Sequence, residues 1–271
     1  MAVLLVSACA TGITDVETKS GKAYLSEAPE TITVNGVSFN MIGIPAGDFL
    51  MGSASDEPGN FDNERPRHRV RLSAFQIGET EVTQGFWKAV MGNNPSYFDQ
   101  CGEDCPVERI SWHDAQAFIR KLNELIPGGG FRFPSEAEWE YACRAGTQTP
   151  FAFGRCLSSD QANFDGDHPL TACETGAFLN ATVPIAGYSP NNWGLYDMHG
   201  NVWEWCRDVY SGTAYGSHSI DDPVYLGKGR HRAFRGGGWR SYARCCRSAV
   251  RSVYPAGDTY RYLGFRLSRK R

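Results

Sequence analysis

The sequence contains no run of 18 apolar residues, so no segment reads as a membrane-spanning helix. It has no excess of basic charge: 27 Lys and Arg stand against 30 Asp and Glu. The whole-chain electrostatic footprint of a nucleic-acid-binding protein is therefore missing, and nucleic acid is not an expected partner. The six histidines form no H-x3-H pair, and the close pair Cys101 and Cys105 has no second pair at finger spacing. That excludes the usual zinc modules. There is no internal repeat and no Pro- or Ser-rich linker that would cut the chain in two. What the chain does have is glycine, 30 of 271 residues against a usual share of about 7%. It also has 7 Trp, 12 Tyr and 15 Phe. Hydrophobic residues reach 41%, enough for a real core, and the glycines point to many tight turns.

The first nine residues, ending Leu5-Val6-Ser7-Ala8-Cys9, form a short apolar run closed by small residues and a cysteine. This resembles a bacterial lipobox, in which the cysteine takes a lipid. The rival readings are a plain export signal or a start codon lying further upstream. The lipobox implies a truncated lipoprotein-type signal and polar tether over residues 1–29. Cys9 would then anchor the protein at a bacterial cell surface or outer membrane. Without Cys9, eight cysteines remain, and eight allow 105 pairings. Cys101 and Cys105, across a Gly-Glu-Asp loop, are the easiest pair to join.

Residues 30–271 read as one irregular α+β domain. Ile32–Phe39 alternates like a strand, as does Arg67–Ile77, and Pro45-Ala46-Gly47-Asp48 marks a turn. Three helices are expected near 83–91, 112–125 and 135–145. Thr83 is a candidate N-cap for the first, Ser111 opens the second, and Ser135-x-x-Glu138 is a capping box for the third. In the second, Ala115, Phe118, Ile119, Leu122 and Leu125 share a face. Beyond Thr147 the pattern is mostly loops and short strands.

Several phrases are specific in their order. They include Ile44-Pro45-Ala46-Gly47-Asp48-Phe49, Phe133-Pro134-Ser135-Glu136-Ala137-Glu138-Trp139-Glu140, Gly200-Asn201-Val202-Trp203-Glu204-Trp205, Arg235-Gly236-Gly237-Gly238-Trp239 and Gly264-Phe265-Arg266. Together they resemble the formylglycine-generating enzyme, or sulfatase-modifying factor, family from about residue 40 onward. The resemblance implies a loop-rich C-type-lectin-like fold with few regular elements. Trp193, Trp203, Trp205 and Trp239 read as core anchors. Gly236-Gly237-Gly238 reads as a site of close backbone packing. The family's oxidases hold copper with two thiols after the Arg-Gly-Gly-x-Trp phrase. Here Ser241 occupies the first thiol position, while Cys246 remains. Oxidase activity is therefore not expected, and no cofactor is required. The family also binds calcium; Gly200, Asn201, Val202 and Glu204 match one such motif.

The segment 239–264 carries a second pattern. None of Lys, Glu, Gln, Met or Trp occurs at 240–263, although these five types supply 39 of the 271 residues. Those are the five residue types besides stop that NNC codons cannot encode. The segment resembles the variable region of proteins diversified by a retroelement that mutates template adenines. It is rich in Tyr, Ser and Arg, the residues favoured in paratopes. The expected contact set is Arg240, Ser241, Tyr242, Arg244, Cys245, Ser248, Val250, Ser252, Val253, Tyr254, Asp258, Tyr260 and Tyr262, all on one exposed face. Ala243, Cys246, Arg247, Ala249, Arg251 and Pro255 are expected to point inward or hold the backbone. From Arg235 to Arg271 there are ten basic residues and one acid, Asp258, a field suited to acidic ligands. The leading expectation is a surface-displayed protein that binds variable protein or other surface ligands. The alternatives are a copper-dependent oxidase of the same family or a structural cell-envelope protein of the same fold.

Overall fold

The computed structural model describes residues 28–271. Strands β1 (Glu30–Val34) and β2 (Val37–Ile44) form a hairpin closed by Asn35 and Gly36, both at positive φ, 50° and 83°. The alternation over Ile32–Phe39 thus covers two strands. Asn-Gly is the favoured pair for a two-residue turn that needs left-handed backbone at both positions. Arg67–Ile77 also divides, into β4 (His68–Leu72) and β5 (Phe75–Gly78). The corner at Ser73 is held by Asp222, which accepts from the Ser73 N–H at 2.8 Å and from its hydroxyl at 2.7 Å. β3 (Gly47–Met51) pairs with β4. β2 and β5 pair, and β5 receives the C-terminal strand β10 (Ser268–Lys270), so the two ends of the described chain share one sheet.

The three helices form where the capping signals place them. α1 is Gln84–Met91, with the Thr83 hydroxyl accepting from the Phe86 N–H and Gly92 closing the far end at φ 86°. α2, Trp112–Leu125, and α3, Glu136–Arg144, each begin with a reciprocal capping box, Ser111 with Asp114 and Ser135 with Glu138. Each cap satisfies amide donors that the first turn leaves without partners, worth about 1 kcal/mol. α2 buries Ala115, Phe118, Ile119 and Leu122, but Leu125 is exposed because it lies in the last turn, beyond the core. Phe118 stacks on Trp87 of α1 at 5.2 Å and meets Phe265 edge-on at 5.5 Å.

A second sheet, in the order β8-β7-β6-β9, carries the C-terminal half: β6 (Trp203–Val209), β7 (His231–Arg235), β8 (Ser252–Pro255) and β9 (Leu263–Gly264). The loops around it are tied down by buried guanidinium groups. Arg235 reaches Glu136 and Glu140, and Arg251 reaches Glu136 at 2.6 Å. Arg247 joins Glu57 and Glu64, and Arg266 grips both oxygens of Glu204. Much of the basic charge counted between 235 and 271 is thus neutralised inside the protein, and the field at the surface is narrower than the sequence suggests.

Cys101 and Cys105 form the expected disulfide, and Cys156 pairs with Cys173. Cys246 is a buried free thiol. It packs with Phe151, Leu157, Phe164 and Ala243, whereas Cys206 belongs to the cluster around Trp139. Gly237, at φ 78°, lies so close that a Cβ there would stand 2.4 Å from the Cys246 sulfur. Trp193, Trp203, Trp205 and Trp239 are all buried.

Candidate functional site

Trp239 organises the C-terminal face. Its backbone N–H donates to the Asn201 carbonyl at 2.7 Å, and its indole N–H donates to the Arg261 carbonyl at 3.0 Å. The turn that delivers it is closed twice over. The Ser241 N–H donates to the Gly238 carbonyl at 2.8 Å, and the Ser241 hydroxyl accepts from the Gly238 N–H at 3.0 Å. The Ser241 carbonyl then accepts from the Asp165 N–H, which fastens the loop bearing His168 alongside. Tyr242 stacks on His168 at 3.9 Å, and His168 Nδ1 lies 3.0 Å from an Asp165 oxygen.

These contacts leave an open groove of about 620 Å³. From the expected contact set, Arg240, Ser241, Tyr242, Cys245, Tyr254 and Tyr262 line it. Trp239 and Arg261 join them from the same segment, and Asp165, Phe178, Asn180 and Trp203 come from elsewhere in the fold. Tyr254, Tyr260 and Tyr262 follow one another as a ladder of rings, 4.2 and 5.3 Å apart, with the Tyr254 and Tyr262 hydroxyls at 3.0 Å. Burial and that hydroxyl contact push the Tyr262 phenol well above its usual range.

The other expected positions, together with Ser241 of the groove, differ in exposure. Arg244 is exposed and turns its guanidinium onto Phe61, 4.3 Å from the ring. Ser252, Val253, Asp258 and Tyr260 are partly exposed but do not line the groove, and Asp258 accepts from the Tyr260 hydroxyl. Ser241, Ser248 and Val250 are buried, contrary to expectation. Ser241 is spent on closing the Trp239 turn. Ser248 packs its hydroxyl against the Cys143 sulfur at 3.5 Å, and Val250 belongs to the core with Phe234 and Phe265. Ala243, Cys246, Arg247, Ala249 and Arg251 face inward as expected, while Pro255 sits exposed on β8. Sequence reasoning did not find Phe178 or Asn180. The exposed apolar pair Phe178 and Leu179, in an otherwise polar stretch, was the available signal.

The two-thiol arrangement of the family's oxidases is not formed here. A hydroxyl stands at 241, and burial pushes the Cys246 thiol well up and the Cys245 thiol up, so the reactive thiolate is disfavoured at both. The calcium motif is likewise committed to structure. Glu204 gives one oxygen to Arg266 at 2.7 Å and the other to Arg266 at 2.6 Å and the Trp139 indole at 2.7 Å. Asn201 lends its side-chain oxygen to the Val183 N–H and the Asn163 amide. Gly200 and Val202 supply only backbone oxygens. Among the described residues, no three His, Cys, Asp or Glu side chains gather as a metal cage. Glu204, the one carboxylate of the motif, is thus engaged by Arg266 and Trp139.

Residues 26–271 match the sulfatase-modifying factor enzyme 1-like domain. The chain belongs to this family. It is 32% identical over 281 residues to the formylglycine-generating enzyme of Streptomyces coelicolor, covering 82% of this chain and 87% of that one. Among solved structures it resembles Treponema denticola variable protein 1, with a TM-score of 0.75 and 30% identity, over 91% of this chain and all of that one. It also resembles PvdO from Pseudomonas aeruginosa, with a TM-score of 0.76 and 27% identity over the same shares. The fold is thus the loop-rich α+β, C-type-lectin-like fold of the formylglycine-generating enzymes.

Proposed function

We propose that this member of the family is a non-enzymatic binding protein displayed at a bacterial surface through a lipid on Cys9. Its ligands, protein or other surface molecules of acidic character, are taken by the groove around Trp239, and the segment 239–264 is diversified by a retroelement. One observation carries the reading. Arg240, Tyr242, Cys245, Tyr254 and Tyr262, marked from sequence as contact residues, line one open groove with exposed or half-exposed side chains, while Ala243, Cys246, Arg247, Ala249 and Arg251 among them are buried. That is the division of labour a changeable surface needs, because core substitutions commonly cost about 1–3 kcal/mol and surface ones stay within about 0.5 kcal/mol. The likeness to a protein described as variable supports it. Ser241 in place of a thiol supports the absence of oxidase chemistry. No cofactor is invoked.

The test lies in the DNA around the gene. A near-copy of the coding sequence for 239–264, rich in AAC codons and beside a reverse-transcriptase gene, is the expected finding. Its absence from the genome would remove the diversification. Formylglycine formation on a cysteine peptide in the presence of copper would overturn the non-enzymatic assignment.

A further inference from the structure

Resting on that reading of the groove, we infer that its ligand is an acidic peptide segment, with a carboxylate held across Trp239 between Arg240 and Arg261. Most guanidinium groups of the C-terminal segment are already used. Arg235, Arg247, Arg251 and Arg266 are buried against glutamates, and Arg269 pairs with Glu30. Arg240 and Arg261 are exposed, and neither forms an ion pair among the described residues. Both stand over the Trp239 ring, at 5.9 and 5.3 Å from its centre. Each also lies over a tyrosine, Arg240 over Tyr262 at 5.5 Å and Arg261 over Tyr97 at 5.2 Å. Seating a planar guanidinium on rings limits its freedom before a ligand arrives, and its fork of N–H donors matches a carboxylate. The groove's own acid cannot serve, because Asp165 is occupied by His168 and by the Asp167 N–H.

The surroundings favour a peptide over an acidic sugar. A sugar face needs an open aromatic floor, but Trp239 is only 1% exposed, packed edge-on by Phe98 at 5.5 Å and flanked by Phe178 at 6.4 Å. The exposed apolar groups stand at the rim instead: Tyr97, Phe178, Leu179 and Tyr242 are each more than a third exposed. Aromatic and aliphatic anchors around a charged centre are the chemistry of peptide side-chain recognition.

Panning a phage-displayed random dodecapeptide library on the whole protein tests this. Selected peptides should be enriched in Asp or Glu next to aromatic or aliphatic residues. Changing the acid of a selected peptide to its amide, or using the R240Q/R261Q protein, should each weaken binding roughly tenfold or more, the worth of a charge-assisted hydrogen bond. Added salt should weaken it further. Failure to select peptides, selection without acidic enrichment, or undiminished binding by R240Q/R261Q would overturn the inference. So would preference for uronic or sialic acid oligosaccharides over peptides. Parallel panning on Y242S/Y254S keeps the two readings apart. If that variant loses the peptides while R240Q/R261Q keeps them, the groove stands and the acidic ligand falls.

Discussion

The hydroxyl of Ser241 accepts a hydrogen bond from the backbone N–H of Gly238 at 3.0 Å, closing the turn that sets Trp239 in place. A serine at this position is thus a structural part of the groove. Ser241→Ala leaves the Gly238 amide without that partner. It should lower stability by about 1 kcal/mol in chemical denaturation, the usual net worth of one such bond.

Arg247 and Arg244, three residues apart, should answer very differently to alanine. Arg247 is buried between Glu57 and Glu64, and its removal leaves two carboxylates without their cation. The expected loss is about 3–5 kcal/mol. Arg244 is exposed over Phe61, and Arg244→Ala should stay within about 0.5 kcal/mol. Urea titrations of the two variants measure both values.

His199 is held in its neutral form by geometry. Its Nδ1–H donates to the Cys246 carbonyl at 2.7 Å, and its Nε2 accepts from the Ala152 N–H at 3.0 Å. Burial lowers its pKa from 6.5 to about 4. As pH falls from 6.5 towards 4, the unfolded chain takes up a proton here that the folded one refuses. The stability this residue contributes is present above pH 6.5 and is lost across that interval, by up to about 1.4 kcal/mol per pH unit. The stability difference between wild type and His199→Gln should shrink accordingly. A difference that stays constant from pH 7 to 4.5 would contradict the assignment.

Val250 separates core from face within the C-terminal segment. It packs with Phe234 and Phe265 and is 3% exposed, so Val250→Ala should cost about 1–3 kcal/mol, whereas Tyr242→Ser, at a side chain 46% exposed, should barely move the melting temperature.

The helices were legible because capping is local chemistry: Ser111 with Asp114 and Ser135 with Glu138 announce their first turns within four residues. Cys101 and Cys105 were legible for the same reason. Cys156 and Cys173, 17 residues apart, were not, since only the folded loop brings them together. The Asn35-Gly36 turn was hidden inside an alternation that continues across it. The glutamate partners of Arg235, Arg247, Arg251 and Arg266 were also invisible, because they lie 62 to 183 residues away in the chain. That concealed the neutralisation of four of the ten basic residues inside the protein. Within the candidate face, Arg240, Tyr242, Tyr254 and Tyr262 line the groove as read from the sequence, whereas Arg244 and Tyr260 do not and Arg261 was missed. Ser248 and Val250 were misplaced, because nothing in a small residue's identity marks it as core.

The central claim is that a changeable groove sits on a scaffold that does not depend on it. The most direct measurement replaces Arg240, Tyr242, Arg244, Cys245 and Tyr254 together with other residue types, then records thermal unfolding and repeats the peptide selection. The account predicts a melting temperature within a few degrees of wild type and a different set of selected peptides. A collapsed fold, or the same peptides selected as before, would contradict it.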